Sequence, residues 1–124
     1  MYIKTYKELI VWQKSIELVL EVYSLTADFP ESEIYGTTSQ MRRAVVSIPS
    51  NIAEGYGRRS IKSYSQFYAI SYGSALELET QIIIAKRLNL ASKEKFSKAE
   101  NLLIEVSKML NSMITKIRSL TTSS

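Results

Sequence analysis

Apolar side chains recur along this chain at alternating spacings of three and four, the period of a helix rather than of a strand. Leu9, Trp12, Ile16, Val19 and Tyr23 make the first such stripe. Thr5 stands three residues before Glu8, the spacing of a capping box. The Phe29–Pro30 step ends the segment, because a residue that precedes proline avoids the α region. The spacing predicts a helix over 6–27, a rod of roughly 33 Å at about 1.5 Å per residue.

A second helix is predicted over 38–57, with Thr37 and Gln40 as another capping box. Met41, Val45, Ile48 and Ile52 share one face, flanked by Ala44, Val46, Pro49 and Ala53. That arc is close to twice the ~100° of a simple surface helix, so one buried neighbour cannot cover it. Pro49 deprives the Val45 carbonyl of its usual donor, which predicts a kink. A third helix spans 61–89 and is capped by Ser60 or Ser63. Its mid-helix Gly73 costs about 1 kcal/mol relative to Ala, and with Ser74 and Ala75 it predicts a close helix–helix approach. The fourth, over 93–120, starts after Ser92 and carries a heptad: Phe96, Ala99, Leu103, Val106, Leu110, Met113, Ile117 and Leu120. Residues 121–124 form a polar tail that should fray.

The connections near Arg59 and over 89–92 are short, which makes successive helices antiparallel. The longer connection, 28–36, has room for a turn of its own. The pattern predicts an all-α protein: one domain over 1–124, an antiparallel up-down-up-down four-helix bundle.

Composition narrows the chemistry. The 124 residues include neither Cys nor His. Disulfides, thiol nucleophiles and thiolate zinc sites are thereby excluded, and so are the most frequent general base and the Glu-x-x-His pairs of di-iron bundles. Glu77 and Glu79 are two apart and point to different sides of their helix, so they cannot share a metal from one face. No glycine-rich loop leads into Lys-Ser or Lys-Thr, and Gly55-Tyr56-Gly57 reads as a helix-to-loop junction rather than a phosphate cradle. The expectation is a protein that is not an enzyme and has no cofactor or metal. The first eight residues lack an apolar signal core, and no segment approaches the roughly 20 apolar residues of a membrane span, which predicts a soluble, cytoplasmic protein.

A formal charge of +4 permits nucleic-acid binding without demanding it. Its placement is more informative. From Arg42 to Lys62 there are five basic residues and one acidic residue, Glu54. Arg42 falls inside the apolar arc and so should be buried in an ion pair with a third-helix carboxylate, Glu79 first and Glu77 second. Arg43 and Arg58 lie on the polar face with Gln40, Ser47, Ser50 and Glu54. Arg58, Arg59 and Lys62 immediately precede Tyr64, Tyr68 and Tyr72, three tyrosines on one helix face. Cations beside exposed aromatic rings suit single-stranded nucleic acid, whereas a tyrosine stripe also suits a core edge or subunit interface.

The stretch from Gln40 to Gly55, QMRRAVVSIPSNIAEG, resembles the signature of the four helix bundle protein family, the large-subunit ribosomal RNA intervening-sequence or S23-like family. Leu9–Gln13, Phe29–Glu31, Gly73–Ser74 and Leu76–Thr80 resemble it too, so the likeness runs from about residue 5 to 118. It departs at Thr37, where relatives often carry Leu. The resemblance implies an up-down-up-down bundle assembled as a homopentamer. It extends to the accessory protein of diversity-generating retroelements, a basic pentamer that binds nucleic acid and a reverse transcriptase. Two functions therefore compete. One is a non-catalytic oligomeric accessory protein that binds RNA or DNA through Arg43, Arg58, Arg59, Lys62, Tyr64 and Tyr68. The other is a structural scaffold that binds protein alone. The wide apolar arc of the second helix motivates a homo-oligomer; the number five comes from the resemblance.

Overall fold

The computed structural model describes residues 5–122. Its long helices are α1, Ile10–Ala27; α2, Ser39–Tyr56; α3, Ile61–Arg87; and α4, Lys93–Thr122. No strand occurs among the described residues. α1 packs against α2 and α4, and α3 packs against the same two, so α1 and α3 sit on one diagonal and α2 and α4 on the other. The links 57–60 and 88–92 are too short for anything but a reversal. The result is an antiparallel up-down-up-down four-helix bundle. α4 continues through Thr121 and Thr122, where a polar tail was expected; Ser123 and Ser124 lie outside the described residues.

The entry to α1 differs from the capping box that the spacing suggests. Thr5 caps a single 3-10 turn, Tyr6–Glu8, and its hydroxyl accepts the N–H of Lys7 rather than of Glu8. Leu9 is extended, so α1 begins at Ile10. The buried stripe is Val11, Ser15, Leu18, Val22, Leu25 and Thr26, one step round from the predicted Leu9, Trp12, Ile16, Val19 and Tyr23. Trp12 and Tyr23 are large amphipathic rings that sit at the margin, a common position for such side chains. Ser15 and Thr26 enter the core because their hydroxyls donate to Trp12 O at 2.7 Å and Val22 O at 2.8 Å.

α2 also starts without the expected cap. Ile34–Thr38 forms a short wide turn, called the π turn below, that is kinked at Gly36 (φ −115°, ψ −110°) and leads into α2, and no side chain caps the junction. The preceding turn supplies the carbonyls that a capping box would otherwise replace. Two neighbours cover the wide arc within one chain: Met41, Ala44, Val45, Ile48, Pro49 and Ile52 are buried, and only Val46 is exposed, at 39%. The arc therefore does not call for a second copy. α2 runs as one helix through Pro49, with side-chain donors on three nearby carbonyls: Ser50 on Val46, Asn51 on Ser47 and Ser71 on Ile48, at 2.8–2.9 Å.

α3 is capped by Ser60, whose Oγ accepts the N–H of Ser63 at 3.1 Å. Gly73 is not at a contact inside the chain, since a Cβ built there would meet nothing within 4 Å. Ser74 and Ala75 do face inward, and Ser74 shares a 2.8 Å hydrogen bond with Ser47. α4 buries Phe96, Ala99, Leu103, Val106, Leu110 and Ile117 as the heptad predicts, with Ile114 buried in place of Met113. Met113 moves to the edge and Leu120 is 63% exposed, because a straight 3.6-residue helix drifts away from a strict 3.5-residue repeat. Surface ion pairs tie α4 to its surroundings: Lys14–Glu105, Lys86–Glu100 and Lys95–Asp28. The Glu105 carboxylate, by accepting a hydrogen bond from Lys14, holds that ammonium above its usual pKa.

α3 ends in a Schellman motif. Leu90 N–H donates to Ala85 O and Asn89 N–H to Lys86 O, both at 3.1 Å, with Asn89 left-handed at φ 56°. Asn89→Ala should destabilise the protein by about 1 kcal/mol, whereas Asn89→Gly should be neutral or slightly stabilising. Urea melts of the two variants check this; equal stability for both would show that the left-handed residue is not what the turn requires.

Candidate nucleic-acid interface

The predicted basic residues do not form one patch. Arg43 lies near the start of α2, while Arg58, Arg59 and Lys62 surround the α2–α3 link at the other end. The 13 helical steps from Arg43 to Tyr56 separate these two places by about 20 Å. All four cations are exposed. Arg58 is partly committed: its Nη2 meets Glu54 Oε2 at 3.1 Å, and its guanidinium lies 4.6 Å above the Phe67 ring. Arg43, Arg59 and Lys62 have no ion pair among the described residues.

The link is drawn tight by Gly55. A Cβ there would lie 2.9 Å from Phe67 Cβ, so only glycine lets the end of α2 approach the start of α3 this closely. Tyr68 fills the space beneath and is fully buried; it cannot stack on a nucleobase. Tyr64 is half-buried, with its ring 4.6 Å from that of Tyr68, and it lines a hollow of about 230 Å³ with Arg58, Arg59, Ile61 and Ile117. Tyr72 is half-buried against the core. The tyrosine stripe is thus a core edge, of which Tyr64 alone borders the cations. Their spacing by four could not distinguish these outcomes; the glycine opposite them does.

Arg42 does not pair with Glu79 or Glu77. Both carboxylates lie on the exposed face of α3, whereas Arg42 turns to α1. Its Nε donates to Thr26 Oγ1 at 2.9 Å, Nη2 reaches Tyr23 O at 3.5 Å, and the guanidinium lies 4.5 Å above the Tyr23 ring. A half-buried guanidinium with a hydroxyl, a carbonyl and a π face needs no buried carboxylate. Arg42 forms one edge of a groove of about 850 Å³ between α1, the π turn and α2, which sequence reasoning missed. Arg43, Glu31, Ile34 and Tyr35 also line it, and Tyr35 is 96% exposed. Below lies the buried hydroxyl of Thr38, which has no partner. No periodicity signals this groove, because it is made by a π turn that helical spacing does not anticipate. Among the described residues no three Asp or Glu side chains gather as metal ligands.

The family model described as 23S rRNA-intervening sequence protein matches residues 7–112. A protein of unknown function from the S23 ribosomal protein family of Bacteroides thetaiotaomicron VPI-5482 has a similar crystal structure. The TM-score is 0.76 at 24% identity, over 85% of this chain and 98% of that one. At that identity the likeness shows the fold alone. No curated protein sequence matches the chain.

Tyr68 supplies a test of the junction. Its hydroxyl is buried and makes no hydrogen bond of good geometry, and burial pushes the phenol far above its ordinary pKa of 10.0. A group whose pKa is raised by folding contributes its stability below the unfolded pKa and loses it as pH rises further. Stability should therefore decline as pH rises above about 10. Tyr68→Phe should remove that part of the decline and cost nothing near neutral pH, because an unpartnered buried hydroxyl is deleted. Urea melts at pH 7 and pH 10.5 check both arms; a Phe variant weakened by more than about 1 kcal/mol at pH 7 would reveal a hydrogen bond to Tyr68.

Proposed function

The chain belongs to the 23S rRNA-intervening sequence protein family, and from that premise we propose that it is a non-catalytic, oligomeric accessory protein that binds nucleic acid. The observation that carries the reading is the α2–α3 link, where Arg59 and Lys62 stand exposed and unpaired beside Arg58 and the half-buried Tyr64. Cations on a rigid helix junction suit phosphates, whose contacts position a strand without reading its sequence. One protomer offers few such contacts, and an assembly multiplies them. The protein is expected to act in the cytoplasm, with RNA or DNA as its ligand. No described helix is long and apolar enough to cross a membrane.

Support for assembly comes from α3 rather than α2. Ile70, Leu76, Ile83 and Ile84 are 45–52% exposed on its outward side, around the open space over Gly73. A mid-helix glycine costs about 1 kcal/mol, and nothing inside this chain uses the room it leaves. An exposed apolar face of this kind marks an interaction surface. The same face supports the scaffold reading, in which the bundle binds protein alone and the cations are merely solvated.

Light scattering at micromolar concentration should return an oligomer, with a pentamer as the expected mass, and Leu76→Asp should shift it to monomer. A monomeric wild-type chain would remove the assembly.

Fluorescence anisotropy with single- and double-stranded oligonucleotides at two salt concentrations tests the ligand. Binding should be weak and indifferent to sequence, with affinity falling steeply as salt rises. Replacing Arg59 and Lys62 by Ala should flatten the logarithmic salt slope by about 1.4 on single strands for each protomer that touches the strand, two phosphate contacts at about 0.7 each. Arg58 is spared in that variant because it packs on Phe67. No binding at low salt by assembled protein would favour the scaffold; binding with an unchanged slope in the variant would move the site elsewhere.

A further inference from the structure

The groove between α1, the π turn and α2 lies at the opposite end of the bundle from the basic link, and nothing in the fold requires it to stay open. Four of its features leave groups available to a ligand. Tyr35 holds its ring almost wholly in solvent, at 96% exposure, although the turn that carries it is ordered into α2. Arg42 is fixed in place by Thr26 and the Tyr23 ring, which leaves further guanidinium N–H groups beyond those donating to Thr26 and Tyr23. Arg43, on the next residue, lines the groove without an ion pair. Thr38 adds a buried hydroxyl with no partner beneath the turn.

We propose that this groove is a nucleotide-binding site, with the phosphate held by Arg43 and the fixed guanidinium of Arg42 and the base laid on the exposed ring of Tyr35. The chemistry of the lining selects this class. A guanidinium pair suits a phosphate, and a free aromatic ring suits a planar base of any identity. Glu31 on the same lining can accept hydrogen bonds from base amino groups and disfavours a second anion inside the groove, so adjacent peptide carboxylates fit less well than one phosphate joined to one base. Size agrees, since about 850 Å³ lies within the range of small-molecule clefts. The ligand is either a free nucleotide or one unit of a longer strand; only the second source rests on the nucleic-acid reading above.

The full chain can be titrated with AMP, GMP, CMP and UMP, with inorganic phosphate, with a short oligo(dT), and with an acidic peptide. Tyrosine fluorescence and the Arg42 Nε NMR resonance report on the groove. Nucleotides should bind about tenfold or more tightly than inorganic phosphate. Tyr35→Ser should erase that advantage, and Arg43→Gln should weaken both ligands; both side chains are exposed, so the fold is retained. Nucleotide binding no better than phosphate, a Tyr35→Ser variant that binds as before, or an acidic peptide that outcompetes nucleotides would each overturn the site. The two readings separate cleanly. Oligonucleotide binding that ignores Tyr35→Ser and Arg43→Gln, together with mononucleotide binding no better than phosphate, defeats the groove and leaves the basic link standing. Mononucleotide binding without oligonucleotide binding defeats the strand-binding function and assigns the groove to free nucleotides.

Discussion

One close approach sets the lower end of this bundle: the backbone at Gly55 lies against Phe67 and Tyr68, where even a methyl group would collide with the Phe67 Cβ at 2.9 Å. Because α2 comes that near to α3, the link between them can be short. Because the link is short, α3 must turn back antiparallel and drop Tyr68 into the core. Arg58 is left at the lip, where it lies over Phe67 and reaches back to Glu54. Arg59 and Lys62 follow on the outside. The placement of charge at this end is thus a by-product of packing, since the cations lie outside because the aromatic rings fill the inside.

The α2–α3 contact is unusual in also being polar. Ser47 and Ser74 share a hydrogen bond, Asn51 donates to the backbone and hydroxyl of Ser47, and Ser71 donates to Ile48 O from a fully buried position. Small hydroxyl side chains let two helices approach while each polar atom finds a partner. Pro49 sits in the midst of these donors, which surround the stretch of backbone where its missing N–H weakens the ladder.

Much of the fold was legible in the chain. Apolar spacing located all four helices, since it is set by which residues must leave water, and α4 and the core of α2 follow it closely. It failed where size or shape outweighed polarity. Ser15 and Thr26 are core residues because their hydroxyls bond within their own helix, and a polarity pattern does not register that. Arg42 looked like a buried charge in need of a carboxylate, but it found a threonine, a carbonyl and a ring on α1. Of the candidate site, the exposure of Arg43 could be read from its place on the polar face of α2, and that of Arg58 and Arg59 from their place at a helix end. The burial of Tyr68 could not, because it depends on a glycine thirteen positions earlier in the chain. The groove was invisible for a similar reason: it depends on a kink at Gly36 between two short turns, and no repeat in the sequence marks that break.

The alternation of helix direction has one more consequence. The α1–α2 and α3–α4 links share one end of the rod, and the α2–α3 link occupies the other. The 18 residues of α2 hold these ends about 27 Å apart. Were both ends to bind guests, as proposed above, the bundle would act as a ruler. A short guest can occupy one end or the other but not both, so small guests would load two to a protomer and independently. A guest longer than the rod would span both ends at once, and its second contact would come at high effective concentration. Length, rather than sequence, is then the property by which this scaffold would tell one guest from another.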